Sequence, residues 1–462
     1  MPVTAAAMQG LLAEMHGASV LNGWDAVVCL SESAINKVLE SGWNSQYPQG
    51  HLQGNTVWCD GLNHTDAGSL ANLQHLEYEL GPPQIQLQPN SLDVTVRQPL
   101  MKASLKSGHA KVGSNFSITE CPFHVNDSRV TWNESVPLAS QQATVEGRAS
   151  VSVVQDRTSA QSFSVTLNLQ AGKLQLLGLL SGANHPSLAD RLQQSLAAAS
   201  LKPVLATVSV ADDGTHEALR PTTLQANCPL SDRGKMLQLF MGTQGTVPQS
   251  TAINVPAHVL DTLESDYSLM ISSQVMVQNV IVDRYNKGTG LVKLVAVAPQ
   301  TDDQPWHAQT RNPMQYQGTI SFGGAYPDIK RQAELGMNFV GTPSTGLSVQ
   351  TYISPDSNIE LQLGVSATYP LSISGTGIGQ QLQLNPGPAS VSATGLAETT
   401  VKPQLDSFLN NDIKNDMAAI SLSVVSDFAL KTMQFPGHIP KFEHVQFPGD
   451  LLIVGSLEPR SP

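Results

Sequence analysis

From Ala26 to Leu30 five apolar residues run without a break, and at Ser31 the rhythm changes. Ala34, Ile35, Val38 and Leu39 then fall at i, i+1, i+4 and i+5, on one face of a helix. Ser31 suits the start of that helix, because its hydroxyl accepts from the first unpaired amides. The pattern predicts a strand running into a serine-capped helix over residues 23–39. It recurs once. Leu269-Met270-Ile271 meets Ser272, and Val275, Met276 and Val280 supply another apolar helix face. Leu30-Ser31 and Ile271-Ser272 lie 241 positions apart in a chain of 462. A spacing near half the length predicts two copies of one module, placed at 1–245 and 246–462.

Around these motifs the period is mostly two. Leu76, Tyr78 and Leu80 alternate with polar residues, as do Ile85 and Leu87, Leu92 to Val96, Val151 and Val153, and Phe163 to Leu169. Such alternation predicts sheets with one apolar face. Leu11, Leu12 and Met15 mark a short helix within residues 1–22. Residues 41–68 read as a polar connection, and 212–233 as mixed and loop-like. Leu188, Leu192 and Leu196 predict a helix opened by Pro186-Ser187. The second half has a helix near 274–285, strands at 291–297, 318–322 and 347–353, a long alternation from Ile359 to Tyr369, and a late helix through Leu405, Leu409 and Ile413. The class is α+β. A long amphipathic helix laid in a highly curved antiparallel sheet, twice over, buries both economically.

Composition narrows the function. Charged residues are 13% of the chain, about half the usual share, and Gln, Ser, Thr, Gly and Asn fill the gap. A net charge of −12 gives no basic field to displace counterions, so nucleic acid is not an expected partner. Cys29, Cys59, Cys121 and Cys228 form no CxxC, which argues against a zinc or redox motif. No apolar run approaches the ~20 residues of a membrane span. The first residues lack a basic start and a long apolar core, so no secretory signal is expected. His216-Glu217 is not followed by the second histidine of HExxH, no GxSxG occurs, and Gly375 to Gly379 lacks the lysine of a phosphate loop. The expectation is a non-catalytic chain without metal or cofactor.

Gly23-Trp24-Asp25, the run to Leu30, and Ser31 leading into Ile35-Asn36-Lys37-Val38-Leu39 resemble the N-terminal signature of the P-forty-seven (P47) and OrfX proteins of clostridial and related toxin gene clusters. The tail agrees. Phe428-Ala429-Leu430-Lys431, Phe435-Pro436, and Pro448-Gly449-Asp450-Leu451 closing in Val454-Gly455 look like that family's C-terminal end. Ser272 stands in the second copy where Ser31 stands in the first, although Asp266-Tyr267 replaces the Trp-Asp pair. The resemblance implies a TULIP (tubular lipid-binding) fold related to the bactericidal/permeability-increasing protein. In that fold each bent sheet wraps a helix and leaves an apolar groove. It further implies a non-catalytic accessory protein of an insecticidal or neurotoxin gene cluster that binds a lipid or other apolar small molecule. The alternative it leaves open is an interaction subunit of a toxin or secretion complex, partnered by neighbouring cluster proteins and holding no lipid. Its members lack ordinary signal peptides, which implies the bacterial cytoplasm or release by a non-classical route.

If a groove exists, its candidate lining is Val165, Leu167, Leu169, Leu361, Leu363 and Val365; the same residues also read as packing against the helices. The stretch from Val94 to Thr119 holds no acid. Arg97, Lys102, Lys106 and Lys111 within it are candidates for lipid headgroups, or simply a solvated strand face.

Overall fold

The computed structural model describes residues 5–15, 19–65, 68–113, 115–119, 121–156, 162–169, 175–179, 190–191, 203–209, 219–229, 235–243, 265–288, 292–301, 304–312, 314–320, 329–342, 346–353, 363–385, 387, 389–393 and 402–460. Strands dominate these residues. Six of them form a central sheet drawn from both halves of the chain. Its order is β12 (Thr223–Asn227), β13 (Met236–Gly242), β1 (Ala26–Ser31), β14 (Tyr267–Ile271), β27 (Leu451–Pro459) and β26 (His438–Gln446). Val28, Leu30, Leu239 and Leu269 join the main core on one face. Val27, Cys29, Phe240, Met270, Leu452 and Val454 form the other face, under Met8, Leu11, Leu12 and Met15 of α1 (Ala5–Met15). Burial on both faces explains the unbroken apolar run at Ala26. Trp24 lies wholly buried on the α1 side, its ring centroid 5.5 Å from that of Phe240.

The two strand–serine–helix motifs lie side by side. β1 and β14 pair antiparallel, with Ala26 opposite Ile271 and Leu30 opposite Tyr267. Such a pair has a local two-fold axis, and the flanking residues obey it. Ser272 N–H donates to the Asp25 carbonyl at 2.9 Å, and Ser31 N–H donates to the Asp266 carbonyl at 3.0 Å. Each aspartate therefore closes onto the other motif's serine. Asp25 and Asp266 are themselves 241 positions apart, so it is Asp266 that matches Asp25, and Ser265 that stands where Trp24 stands.

Each serine then caps its helix. Ser31 Oγ accepts from Ala34 N at 3.0 Å to begin α2 (Glu32–Gln46). Ser272 Oγ accepts from Val275 N at 3.2 Å to begin α3, a wide-turned stretch over Val275–Val282 continued by Asp283–Lys287. Two late helices follow: α4 through Lys402–Ser407, Phe408–Ile413 and Lys414–Ala418, and α5 through Ser423–Asp427 and Phe428–Thr432. Ile35 and Val38 of α2, Val275 and Val280 of α3, and Leu409 and Ile413 of α4 share one apolar cluster. The helix expected after Pro186 lies outside the described residues, except for a helical Asp190-Arg191.

Ten strands of the first half and one of the second, β25, build an eleven-stranded curled sheet. Its path is β2 (Leu52–Thr65), β3 (Gly68–Leu80), β5 (Ser91–Val112), β8 (Ala139–Gln155), β9 (Ser162–Leu169), β11 (Val204–Ser209) and β25 (Met433–Gln434). Four short strands attach beside it: β4 (Gln84–Gln88), β6 (Val130–Trp132), β7 (Val136–Pro137) and β10 (Gln175–Leu179). β5 carries the curl, pairing with β8 along Asp93 to Pro99 and with β3 from Leu100 to Val112. The second half builds β15 (Leu294–Val297), β16 (His307–Thr310), β18 (Ile329–Thr342), β19 (Gly346–Ile353) and β21 (Thr368–Tyr369), with β17 (Met314–Ile320) on β18. Two ladders remain, β20 (Leu363–Ser366) with β24 (Ser390–Ala393), and β22 (Leu371–Ser374) with β23 (Gln381–Leu384). Gly375 and Gly377 turn between β22 and β23 at φ of 79° and 55°. That left-handed backbone is what the glycines supply there.

Two expectations are corrected. Residues 52–65 are not a polar connection but the edge strand β2, and residues 223–227 are not loop but the edge strand β12. An edge strand has one ladder partner and more solvent, so it does not need the alternation that sequence patterns detect.

β3 changes its buried face midway. Leu76, Tyr78 and Leu80 join Trp43 and Trp58 on one side, whereas Ala71 and Leu73 join Cys59, Ala110 and Phe123 on the other. His75 shares the second face, buried beside Trp132 with ring centroids 5.5 Å apart. Neither ring nitrogen has a hydrogen-bond partner, and the Glu77 carboxylate stands 3.8 Å from Nδ1. Burial lowers the imidazole's pKa below 6.5, Glu77 opposes that shift, and Lys106 adds to it. The unfolded chain therefore takes up this proton first as pH falls. Stability tied to neutral His75 is full above about 6.5 and declines below it, down to the lowered folded value. Thermal melts from pH 7.5 to 5 are expected to show this slope, and His75→Leu is expected to flatten it. An unchanged slope in the variant would assign the acid sensitivity elsewhere.

Candidate functional site

α2 is held over the curled sheet by two polar side chains. Leu87 N–H donates to Glu32 Oε2 at 2.7 Å. The Asn36 amide pairs with Ile85 like a strand neighbour, accepting its N–H at 2.7 Å and donating to its carbonyl at 3.1 Å. These bonds satisfy backbone groups of β4 and fix the helix's rotation. Ala34, Ile35, Val38, Leu39 and Trp43 are consequently turned inward. At the far end Trp43 Nε1 donates to the Gly50 carbonyl at 3.1 Å, and its ring lies 4.5 Å from that of Tyr47.

Beside this end of α2 a cleft of about 400 Å³ opens. The helix contributes Leu39, Gly42, Trp43, Ser45 and Gln46 as one wall. Pro83 borders it near β4, Pro203 and Val204 lead into β11, and Pro436 and Gly437 belong to the turn before β26. Gly437 has φ of 66°, and a Cβ there would stand 2.6 Å from Ser41 Cβ. Only glycine lets that turn lie against the helix. Three proline rings, a valine, a leucine and a tryptophan give the lining its apolar part, and backbone groups with the uncharged Ser45 and Gln46 give it a polar part of about equal extent. Its volume is that of a small-molecule site, and among the described residues no titratable side chain lines it.

The residues singled out from the sequence fall in several places. Val165 and Leu167 are fully buried in the apolar cluster that includes Val38, Leu39 and Leu205. Leu167 N–H donates to the Pro203 carbonyl at 3.0 Å, so this strand backs the cleft wall. Leu169 pairs with Ala149 at the end of β9; its side chain lies outside the described ones. Leu361 lies outside the described residues, Leu363 pairs with Ala393, and Val365 packs half-buried on the main cluster in the other half. The cations of β5 meet carboxylates of neighbouring strands. Arg97 pairs with Glu146 at 2.7 Å, Lys102 with Glu79 at 3.5 Å and Lys106 with Glu77 at 3.3 Å. Lys111 is exposed opposite Leu70. A stretch without acids in sequence thus becomes a balanced surface once its neighbours are in place.

The signature residues are structural. Gly23 adopts φ of 86°. Asp25 Oδ2 accepts from Thr243 N at 2.6 Å and Oγ1 at 2.9 Å. Asp450, in the turn Pro448-Gly449-Asp450, is completely buried and accepts from Val20 N and Ser273 N, both at 2.7 Å, and from Ser19 Oγ at 3.1 Å. Sequence reasoning missed the cleft's other walls, Pro83, Pro203 and Pro436. A proline beside each strand end was the only local signal. Among the described residues no group of three or more His, Cys, Asp or Glu is placed to hold a metal ion, and no helix is long and apolar enough to cross a membrane.

No family model matches the chain, and no curated protein matches it in sequence. Solved structures do match. The P47 protein of Clostridium botulinum A2 superposes with a TM-score of 0.52 at 12% identity, over 95% of this chain and 98% of that one. P47 of Clostridium botulinum E1 gives 0.53 at 10% identity, over 95% and 100%. A lipopolysaccharide binding protein superposes more loosely, at 0.38 and 10% identity, over 94% and 99%. The fold is the P47 fold.

Proposed function

We propose that this chain, having the P47 fold, is a non-catalytic lipid-binding protein associated with a bacterial toxin system. In this reading the two halves, 1–245 and 246–462, are TULIP-type modules, each curling a sheet around its helix. The cleft at the end of α2 is the mouth through which an acyl chain enters. The observation that carries the reading is that lining. Proline, valine, leucine and tryptophan side chains converge at a helix end backed by the buried Leu167 strand. Each methylene buried there would contribute about 0.8 kcal/mol, so a modest length of chain suffices for useful affinity.

Native mass spectrometry of the purified protein, with organic extraction of any adduct, tests the reading. A stoichiometric lipid mass is expected, or its appearance after incubation with mixed phospholipid vesicles. Val204→Asp places a charge in the cleft at a residue already 37% exposed, so folding is expected to survive. Uptake is expected to fall by about tenfold or more, because the carboxylate must be desolvated against the chain. A clean apo mass under both conditions would overturn the proposal in favour of the interaction-subunit alternative. Undiminished uptake by Val204→Asp would move the site away from this cleft.

A further inference from the structure

We propose that Cys59 and Cys121 are a disulfide-forming pair that locks the connection between β5 and β6 onto the curled sheet, and that a low-molecular-weight disulfide is the oxidant that closes it. The two sulfurs lie 2.6 Å apart although the residues are 62 positions apart in sequence. Cys59 sits in β2 opposite Leu73, at the point where the β2–β3 register shifts before Gly61. Asp60 is the extra residue of that bulge, and Cys59, still in register with Leu73, faces the same side of the sheet as Leu73 does, into the cluster formed by Ala71, Leu73, Ala110 and Phe123. Cys121 packs against the same cluster from the connection, with Phe116 and Trp132 beside it. The connection is otherwise held by contacts of modest strength: the Phe116–Phe123 ring pair, Arg129 over Phe123 at 5.1 Å, and the Trp132 Nε1 bond to the Val125 carbonyl at 3.0 Å.

Cys29 and Cys228 have no such neighbour. Cys29 lies under α1 with Gln238 at 3.8 Å from its sulfur, and Cys228 lies in the main core. The order of reaction follows from access. Cys59 is buried, and its thiol is pushed up to about 12 by burial and by Cys121 beside it. Cys121 is half-exposed. Its thiolate attacks the small disulfide RSSR, releasing one thiol RSH and leaving a mixed disulfide on Cys121. Cys59 then loses its proton and displaces the second RSH as the protein sulfur–sulfur bond forms. Two protein thiols are oxidised and one RSSR is reduced to two RSH. The closed clamp suits an oxidising environment, and thiol buffers reopen it.

The test uses the full chain with oxidised glutathione as the probe. Protein reduced and exchanged into glutathione disulfide is denatured, its free thiols are tagged, and its peptides are mapped without reduction. The expected result is loss of two of the four thiols and one cross-linked peptide pair containing Cys59 and Cys121. Cys59→Ser should instead leave a stable glutathione adduct on Cys121, which shows that Cys121 reacts first. Trypsin cleavage after Arg129 should slow by roughly threefold or more in the oxidised protein, because the connection opens less often. Four free thiols after treatment, or a wild-type chain that keeps glutathione on Cys121 with Cys59 free, would overturn the pair. A cross-link without slower cleavage would overturn the clamp. Because wild-type mapping decides the first point, a variant that folds poorly does not obscure it.

Discussion

Asp450→Ala is expected to remove about 3–6 kcal/mol of folding stability, because two or three buried donors lose their acceptor at once. The carboxylate is fully buried and takes N–H bonds from Val20 and Ser273, each at 2.7 Å, together with the Ser19 hydroxyl. Val20 leads from α1 into the first strand, Ser273 lies just before α3, and Asp450 itself immediately precedes the final strand. One side chain therefore ties three distant segments at the end of the central sheet. Burial raises its pKa, and the backbone donors from Ser273, Val20 and Leu21 and the Ser19 hydroxyl pull it back down. Alanine leaves the amides with no partner and no room for bulk water. Asp450→Asn is nearly isosteric, yet its NH₂ cannot accept, so it is expected to cost about 2 kcal/mol or more. Urea unfolding at pH 7 measures both. Since whole domains are stable by about 5–15 kcal/mol, the alanine variant should lose much of its folded population at moderate denaturant. A loss under about 1 kcal/mol would show that these amides find other partners.

The motif around Ser31 was legible in the sequence because both faces of β1 are buried and a capping serine follows directly. Its second copy was legible for the same reason, and so was the P47 resemblance at both ends. The long alternations in β3 and β9 were visible as strands because one face of each packs inward. The two edge strands were hidden. β2 is rich in Gly, Asn and Asp, and β12 keeps only Leu224 well buried. What joins residues across the fold left no local trace. Asp450 meets Ser19 across 431 positions and Ser273 across 177. The carboxylates that meet Arg97, Lys102 and Lys106 come from other strands, so a window along β5 shows only cations. The cleft is assembled from four segments between Leu39 and Gly437, none of which is unusual alone. Cys59 and Cys121 come together only because an edge strand and a distant connection meet over one face of the sheet. Local pattern reports burial, and sites are made by register and closure.

Register and closure also set the second large effect. Gly455→Ala is expected to destabilise the chain by about 3 kcal/mol or more, or to leave it insoluble, through overpacking alone. Gly455 has ordinary backbone angles, so strain in φ plays no part. Its position in β27 lies between Tyr267 on one side and Phe442 on the other. A Cβ there would collide with the Lys441 carbonyl oxygen, and would stand 2.9 Å from that carbonyl carbon and 3.2 Å from Phe442 Cα. These are backbone atoms, which cannot rotate away. The register of β26 against β27 shifts between Phe442 and His444, which brings the backbones together at this point. β26 cannot simply peel outward either, because Gln380 holds Phe442 N–H and C=O, both at 3.0 Å. Gly10→Ala is the control. Gly10 is exposed in α1, nothing lies within 4 Å of a Cβ there, and the change is expected to stabilise by about 0.5–1 kcal/mol through helix propensity. Opposite signs for two Gly→Ala changes would separate backbone closure from glycine's entropy cost. An unaltered unfolding midpoint for Gly455→Ala would mean that β26 can shift after all. Such a shift would move the Pro436-Gly437 turn that enters β26, so the uptake proposed for the cleft beside α2 should then fall or change while the chain stays folded.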